Sequence, residues 1–213
     1  RFAGAEVYTM PLLEKNDFVP NLSDIPEDVA AKAKVMFVNY PNNPTGAVAT
    51  PTQMQQIIDW AAARQIAIVA DAAYAELVYD PKLRYSVLSL PGAEKTVIEF
   101  HSFSKTFNMT GWRLGFAVGN PDLIGGLVKL KTNIDSGVFD AIQIAGIKAL
   151  RELSSCADNI MRIYQERRDA LSEILESSGF RCCKPEGAFY LMVRCPPGLS
   201  SMQFTIDLME KCG

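Results

Sequence analysis

The sequence predicts an α/β chain built on a mostly parallel sheet, and three observations carry that reading. Short apolar runs at 35–38, 66–70, 97–100 and 114–118 have the length of buried strands. Stretches with helical periodicity separate or follow them, the pattern of βαβ units. Hydrophobic residues make up 48% of 213 positions, enough to bury one sizeable core.

The elements follow in order. Val35, Met36, Phe37 and Val38 form the first strand, and residues 40–46 a loop. Thr50, Pro51 and Gln53 open a helix well: Thr50 can cap it, Pro51 fits the first turn, and Gln53 completes a capping box. Met54, Ile57, Ile58 and Ala61 then recur at the spacing of a buried helical stripe. The strand at 66–70 runs directly into Asp71, and strands at 97–100 and 114–118 follow. Helices are expected at 121–131, 138–150 and 155–177, the last long and charged. A strand at 188–193 and a helix at 202–211 complete the chain. There is no internal repeat.

Composition removes several classes of function. The net charge is -3 with 21% charged residues and no basic patch, so nucleic acid is not an expected partner. The apolar runs are far too short to span a bilayer. The five cysteines (Cys156, Cys182, Cys183, Cys195, Cys212) are odd in number, with two adjacent and no CxxC pair. With a single histidine, zinc spacing is missing too, and reduced thiols in a cytoplasmic protein are the expectation. The chain opens on Arg1 without an initiator Met and stops at Gly213 straight after a helix-like stretch, so both ends are expected to be cuts through a longer protein.

In open α/β sheets, ligands gather at the carboxyl ends of the strands. Asn42, Asn43, Pro44, Thr45 and Gly46 follow the first strand, Asp71 and Tyr74 the second, and Ser102, Ser104 and Lys105 the third. Singly, each has an ordinary explanation: a turn, a helix cap, a solvated lysine. Jointly, they place an amide, a carboxylate, a phenol, two hydroxyls and an amine on one edge. His101, the single histidine, is read as a packing residue in its strand, and Arg194 as an ordinary residue before Pro196 and Pro197.

The stretch from Ser102 to Gly115 settles the class. With small residues before Lys105, Arg113 eight residues after it and Gly115 two further on, it resembles the pyridoxal-phosphate attachment signature of class I and II aminotransferases. Asn43-Pro44-Thr45-Gly46 and Asp71 with Tyr74 match that family in the right order. The resemblance implies a fold type I large domain over 1–155, its N-terminal part missing. A bridging helix and part of a small α+β domain would occupy 156–213.

It also implies pyridoxal 5'-phosphate, with Lys105 forming the Schiff base to the cofactor aldehyde and later moving the proton as base and acid. Asp71 would be the buried carboxylate at the ring nitrogen, and Asn43 and Tyr74 would bond the ring oxygen. Ser102, Ser104 and Arg113 would hold the phosphate. The substrates would be an amino acid and a 2-oxo acid, with active sites at a homodimer interface and the loop 133–139 approaching the partner. A stacking aromatic, a phosphate loop and a substrate-carboxylate arginine are expected outside the chain, and the isolated piece is expected not to transaminate.

The stretches 40–50, 99–106 and 133–139 are similar to LL-diaminopimelate aminotransferases in particular. That resemblance implies amino transfer between LL-diaminopimelate and 2-oxoglutarate, in lysine biosynthesis. The alternatives are an aspartate- or alanine-type aminotransferase, a β-lyase of the same fold, and a non-enzymatic effector-sensing module. A dinucleotide-binding domain fails for want of a GxGxxG after any strand.

Overall fold

The computed structural model describes residues 3–152 and 154–212. A short helix α1 (Glu27–Lys32) leads into strand β1 (Val35–Asn39), and α2 (Pro51–Ala62) carries the chain to β2 (Ala67–Asp71). Strand β3 (Val97–Ser102) passes into a single-turn helix α3 (Phe103–Thr106) before β4 (Gly115–Gly119). These four strands form one sheet in the order β1-β2-β3-β4, parallel except for β4. The mostly parallel sheet expected from the sequence is present.

Local chemistry explains α2. The Thr50 side chain accepts from the Gln53 N–H at 3.2 Å, and the Gln53 side chain accepts from the Thr50 N–H at 2.8 Å. Met54, Ile57, Ile58 and Ala61 are buried against Met36, Val38, Ile68, Ala70 and Val97, which share one face of the sheet. On the other face of β1, Val35 and Phe37 are 48% and 72% exposed.

Helices α4 (Pro121–Lys131), α5 (Asp140–Glu152), α6 (Ser154–Ser177) and α7 (Ser201–Cys212) follow the sequence reading to within two residues at each end. Strand β2 starts one residue later than expected. Gln65 takes a left-handed turn at φ 56°, and the Ile66 N–H is used by the Ala61 carbonyl. Asp71 is therefore the last residue of the strand rather than the first of a loop. Strand β4 is likewise shifted by one, because the Leu114 carbonyl accepts from Phe103 N–H.

The strand expected at 188–193 is a correction. Only Met192–Val193 (β6) is a strand, paired antiparallel with Cys182–Cys183 (β5), which the sequence did not reveal. Upstream, the backbone groups of 186–188 are committed to the larger sheet's loops. Glu186 and Gly187 N–H donate to the Gly46 carbonyl at 3.0 and 2.9 Å, and Ala188 N–H donates to the Leu77 carbonyl at 2.7 Å. Tyr79 N–H donates in return to the Glu186 carbonyl at 2.9 Å, and Ala188 sits at φ 58°. These bonds make a single antiparallel bridge between Val78 and Gly187, so the segment pairs with that loop instead of continuing β6. Helix α6 packs over it, with Met161 buried among Tyr74, Leu77, Tyr79 and Ala188.

One buried network fixes β3. Glu99 is 1% exposed and accepts from Ser86 Oγ at 2.7 Å, the Val87 N–H at 2.6 Å and His101 Nε2 at 3.2 Å. The His101 ring also stacks on Phe116, centroids 4.9 Å apart. Burial by itself raises the Glu99 carboxyl, but hydrogen bonds from His101, Ser86 and Val87 outweigh it and hold it below its usual value. A carboxyl with a depressed folded-state pKa contributes stability above its unfolded pKa of about 4.3, and loses it as pH falls through the lower folded value. Glu99→Gln turns one acceptor into a donor facing donors, and is expected to cost about 2 kcal/mol at neutral pH. Urea unfolding of the two proteins should show that difference shrinking below about pH 4; a gap that widens there would contradict the network.

Candidate active site

Register brings the chemistry together. Asn39 pairs with Asp71 across β1 and β2, and Asp71 with Phe100 across β2 and β3, so the carboxyl ends of the three parallel strands align. Asn39 then joins the loops. Its Nδ2 donates to the Asp71 carbonyl at 3.1 Å and its Oδ1 accepts from Asn43 N–H at 2.9 Å. Buried Asn42 closes the turn below, with Thr45 Oγ1 donating to its Oδ1 at 2.8 Å and Gly46 N–H to its carbonyl at 2.8 Å. Asn43 is left exposed on a held backbone.

Asp71 Oδ1 accepts from the Ala73 N–H at 3.2 Å, turning the chain so that Tyr74 lies against the site. The expectation of a buried carboxylate needs correction: Asp71 is exposed. It is the last residue of an interior strand, at the carboxyl end of the sheet.

Helix α3 begins on Ser102, whose Oγ accepts from Ser104 N–H at 3.2 Å. Thr110 Oγ1 donates to the Ser104 carbonyl at 3.1 Å, tying the following turn back. Ser104 is buried, and Ser102 and Lys105 are half-buried. Lys105 Nζ stands 5.8 Å from the centre of the Tyr74 ring and 5.4 Å from that of Phe189. Arg113 is exposed, donates from Nη1 to the Thr110 carbonyl at 3.0 Å and occupies the left-handed region at φ 54°. A non-glycine residue held there is strained by roughly 1–3 kcal/mol, a cost that concentrates at functional sites.

Two aromatic residues were not foreseen. Tyr74 Oη and Tyr190 Oη are 2.5 Å apart, and Asn43 Nδ2 donates to Tyr190 Oη at 3.4 Å. Phe189 packs edge-on against Tyr74 at 5.4 Å. Burial first, and the Tyr190 hydrogen bond second, push the Tyr74 phenol well above the ordinary tyrosine range. Neither Phe189 nor Tyr190 belongs to a strand-end loop, and the signal available was an aromatic pair just after Gly187. Arg194, set aside as a substrate clamp, is engaged elsewhere: with Arg181 it pairs with Glu14. Among the described residues no group of three His, Cys, Asp or Glu side chains could hold a metal ion, and no helix is long and apolar enough to cross a membrane.

Comparisons with known proteins give the family and the fold. The model of the family "Aminotransferase class I and II" matches residues 1–213. The LL-diaminopimelate aminotransferase of Syntrophobacter fumaroxidans is 49% identical over 212 residues, which are 100% of this chain and 55% of the relative. That of Aquifex aeolicus is 46% identical with the same coverage. Among solved structures, apo-BacF from Bacillus subtilis superposes with a TM-score of 0.93 at 38% identity, covering 98% of this chain and 56% of that one. An aspartate aminotransferase double mutant from Thermus thermophilus gives 0.90 at 28% identity, covering 98% and 55%. The chain thus spans about 55% of the length of the curated relatives it matches. Its lysine-bearing strand end, its aligned amide and carboxylate loops and its end-to-end match to the family model make it a member of the class I and II aminotransferases, with the fold type I architecture of that family.

Proposed function

We propose that the protein is a pyridoxal 5'-phosphate-dependent aminotransferase moving an amino group between LL-diaminopimelate and a 2-oxo acid such as 2-oxoglutarate. The observation that carries this is the position of the Lys105 amine beside the Tyr74 ring, at the edge where register also brings Asp71 and Asn43. The 46–49% identity to enzymes named for LL-diaminopimelate supports the choice of substrate.

The donor set fits the cofactor. Lys105 is the amine an aldehyde requires, and Asp71 is the carboxylate that would keep the ring nitrogen protonated. Asn43 and Tyr74 are the donors for the ring oxygen, and Ser102, Ser104 and Arg113 those for the phosphate. Bound pyridoxal phosphate supplies a conjugated ring able to take up the electron pair left at the substrate α-carbon. Lys105, released by the incoming amine, takes the α-proton as base and returns a proton as acid.

The remaining proposals concern the whole protein. A homodimer, with the loop 133–139 reaching toward the partner, suits the exposed Ile134 and Phe139 there. A boundary near residue 155 between a larger and a smaller domain suits the long α6. A cytoplasmic location suits five free thiols.

A panel of amino donors with 2-oxoglutarate and the full-length protein tests the function. Glutamate should form fastest from LL-diaminopimelate. Faster turnover of aspartate or alanine would overturn the substrate, and ammonia release without glutamate would make the enzyme a β-lyase.

A further inference from the structure

We propose that Tyr190 is a positioning residue for the cofactor oxygen, acting through Tyr74; this rests on the aminotransferase reading above. Three polar groups meet in a line, Asn43 Nδ2, Tyr190 Oη and Tyr74 Oη. The Asn43 Nδ2 amide can only donate, and it donates to Tyr190 Oη. The Tyr190 hydroxyl also meets Tyr74 Oη, 2.5 Å away, so one of the two phenols donates to the other. An anionic oxygen on a bound ring can only accept, so it would draw the Tyr74 proton and leave Tyr190 as the donor to Tyr74. With such a ring in place the three groups would run one way, from amide to phenol to phenol to the ring oxygen.

Reverse the line and the site changes. Were Tyr74 to spend its proton on Tyr190, it would meet an anionic cofactor oxygen with lone pairs only, and would repel it. The polarity therefore matters, and the bond from Asn43 to Tyr190 is compatible with it. Burial of Tyr74 keeps the phenol protonated, so that it remains a donor.

The arrangement is also built to last. Tyr190 is carried by a segment whose backbone is fastened to Gly46 and Leu77 by three hydrogen bonds of 2.7–3.0 Å. Phe189 beside it packs on Tyr74 and, at 5.1 Å, on Tyr164 of α6. Residues 116 and 147 positions apart from Tyr190 in sequence thus meet its hydroxyl in a fixed place. A tyrosine needed only to fill space would be served by phenylalanine.

The experiment is a double-mutant cycle in the full-length protein, with pyridoxal phosphate dissociation as the readout. Tyr190→Phe should weaken retention roughly three- to ten-fold, as for one lost hydrogen bond. In a Tyr74→Phe background the same change should do almost nothing, because there is no longer a proton to direct. Equal effects in both backgrounds would make Tyr190 a packing residue and overturn the proposal. Proton and carbon NMR of ring-labelled tyrosine in the cofactor-free protein gives a second reading. The Tyr74 hydroxyl signal, set by its bond to Tyr190, should move in Tyr190→Phe; an unmoved signal would overturn the proposal independently. Failure of the wild type to retain pyridoxal phosphate would instead sink the cofactor reading, with the NMR comparison still deciding whether the line of bonds exists.

Discussion

Lys105→Ala is expected to abolish covalent retention of pyridoxal phosphate and to lower transamination by about 10³-fold or more, since the one residue supplies both the attachment amine and the proton-transfer group, the latter alone worth roughly 10²–10⁴. Borohydride treatment followed by mass measurement of the chain reads the first effect, and a glutamate-forming assay on the full-length protein reads the second. The fold should survive. Helix α3 is held by the Ser102 cap, by the Phe103 N–H on the Leu114 carbonyl and by the Thr110 hydroxyl on the Ser104 carbonyl, none of which involves the lysine side chain. The stem of Lys105 is only half-buried, and its loss removes contacts with Tyr74 and Phe189 without leaving a polar group unpaired. An unfolding midpoint near that of the wild type would separate lost chemistry from lost structure. A variant that still fixes the cofactor on reduction, or turns over within tenfold of the wild type, would remove Lys105 from its role.

Much of this site was legible because its parts are local. Each chemical residue except Arg113 lies within a few positions of the end of an apolar run, and parallel strands in register put those ends side by side. The capping box and buried stripe of α2 are likewise written within one stretch, and they appear as read. Boundaries slipped where one residue departs from the regular conformation, as Gln65 does before β2. Tyr190 was out of reach for a different reason. Ala-Phe-Tyr-Leu-Met-Val has the composition of a strand, yet the preceding backbone groups find partners on loops more than a hundred residues earlier, and only that docking turns Tyr190 toward Asn43 and Tyr74. The exposure of Asp71 was also beyond sequence reading, because a carboxylate at a strand end says nothing about what lies above it.

The same docking makes Gly46→Ala a severely damaging substitution. Gly46 sits at φ 70°, where an L side chain costs about 1–2 kcal/mol. An added Cβ would also lie 2.2 Å from Pro185 Cβ and 3.0 Å from the Gly187 carbonyl oxygen. A proline ring cannot swing aside, so the segment itself must move, an overpacking cost of about 1–3 kcal/mol. Together the two amount to roughly 2–5 kcal/mol, a large share of a typical domain's stability. Movement there also breaks the bonds that Glu186 and Gly187 give to the Gly46 carbonyl, and with them the placement of Tyr190. Gly187→Ala should act on the same contact from the other side, since its Cβ would meet Pro41 Cβ at 2.7 Å and the Leu77 carbonyl oxygen at 2.9 Å. The two changes should therefore combine non-additively. Gly125→Ala is the control: it lies within α4, an added Cβ meets nothing within 4 Å, and helix propensity predicts a gain of up to about 1 kcal/mol. Urea unfolding of the three variants checks the ranking. Should Gly46→Ala unfold with the wild-type midpoint, the segment carrying Tyr190 is not anchored at Gly46, and the fixed meeting of Tyr190 with Tyr74 loses its structural basis.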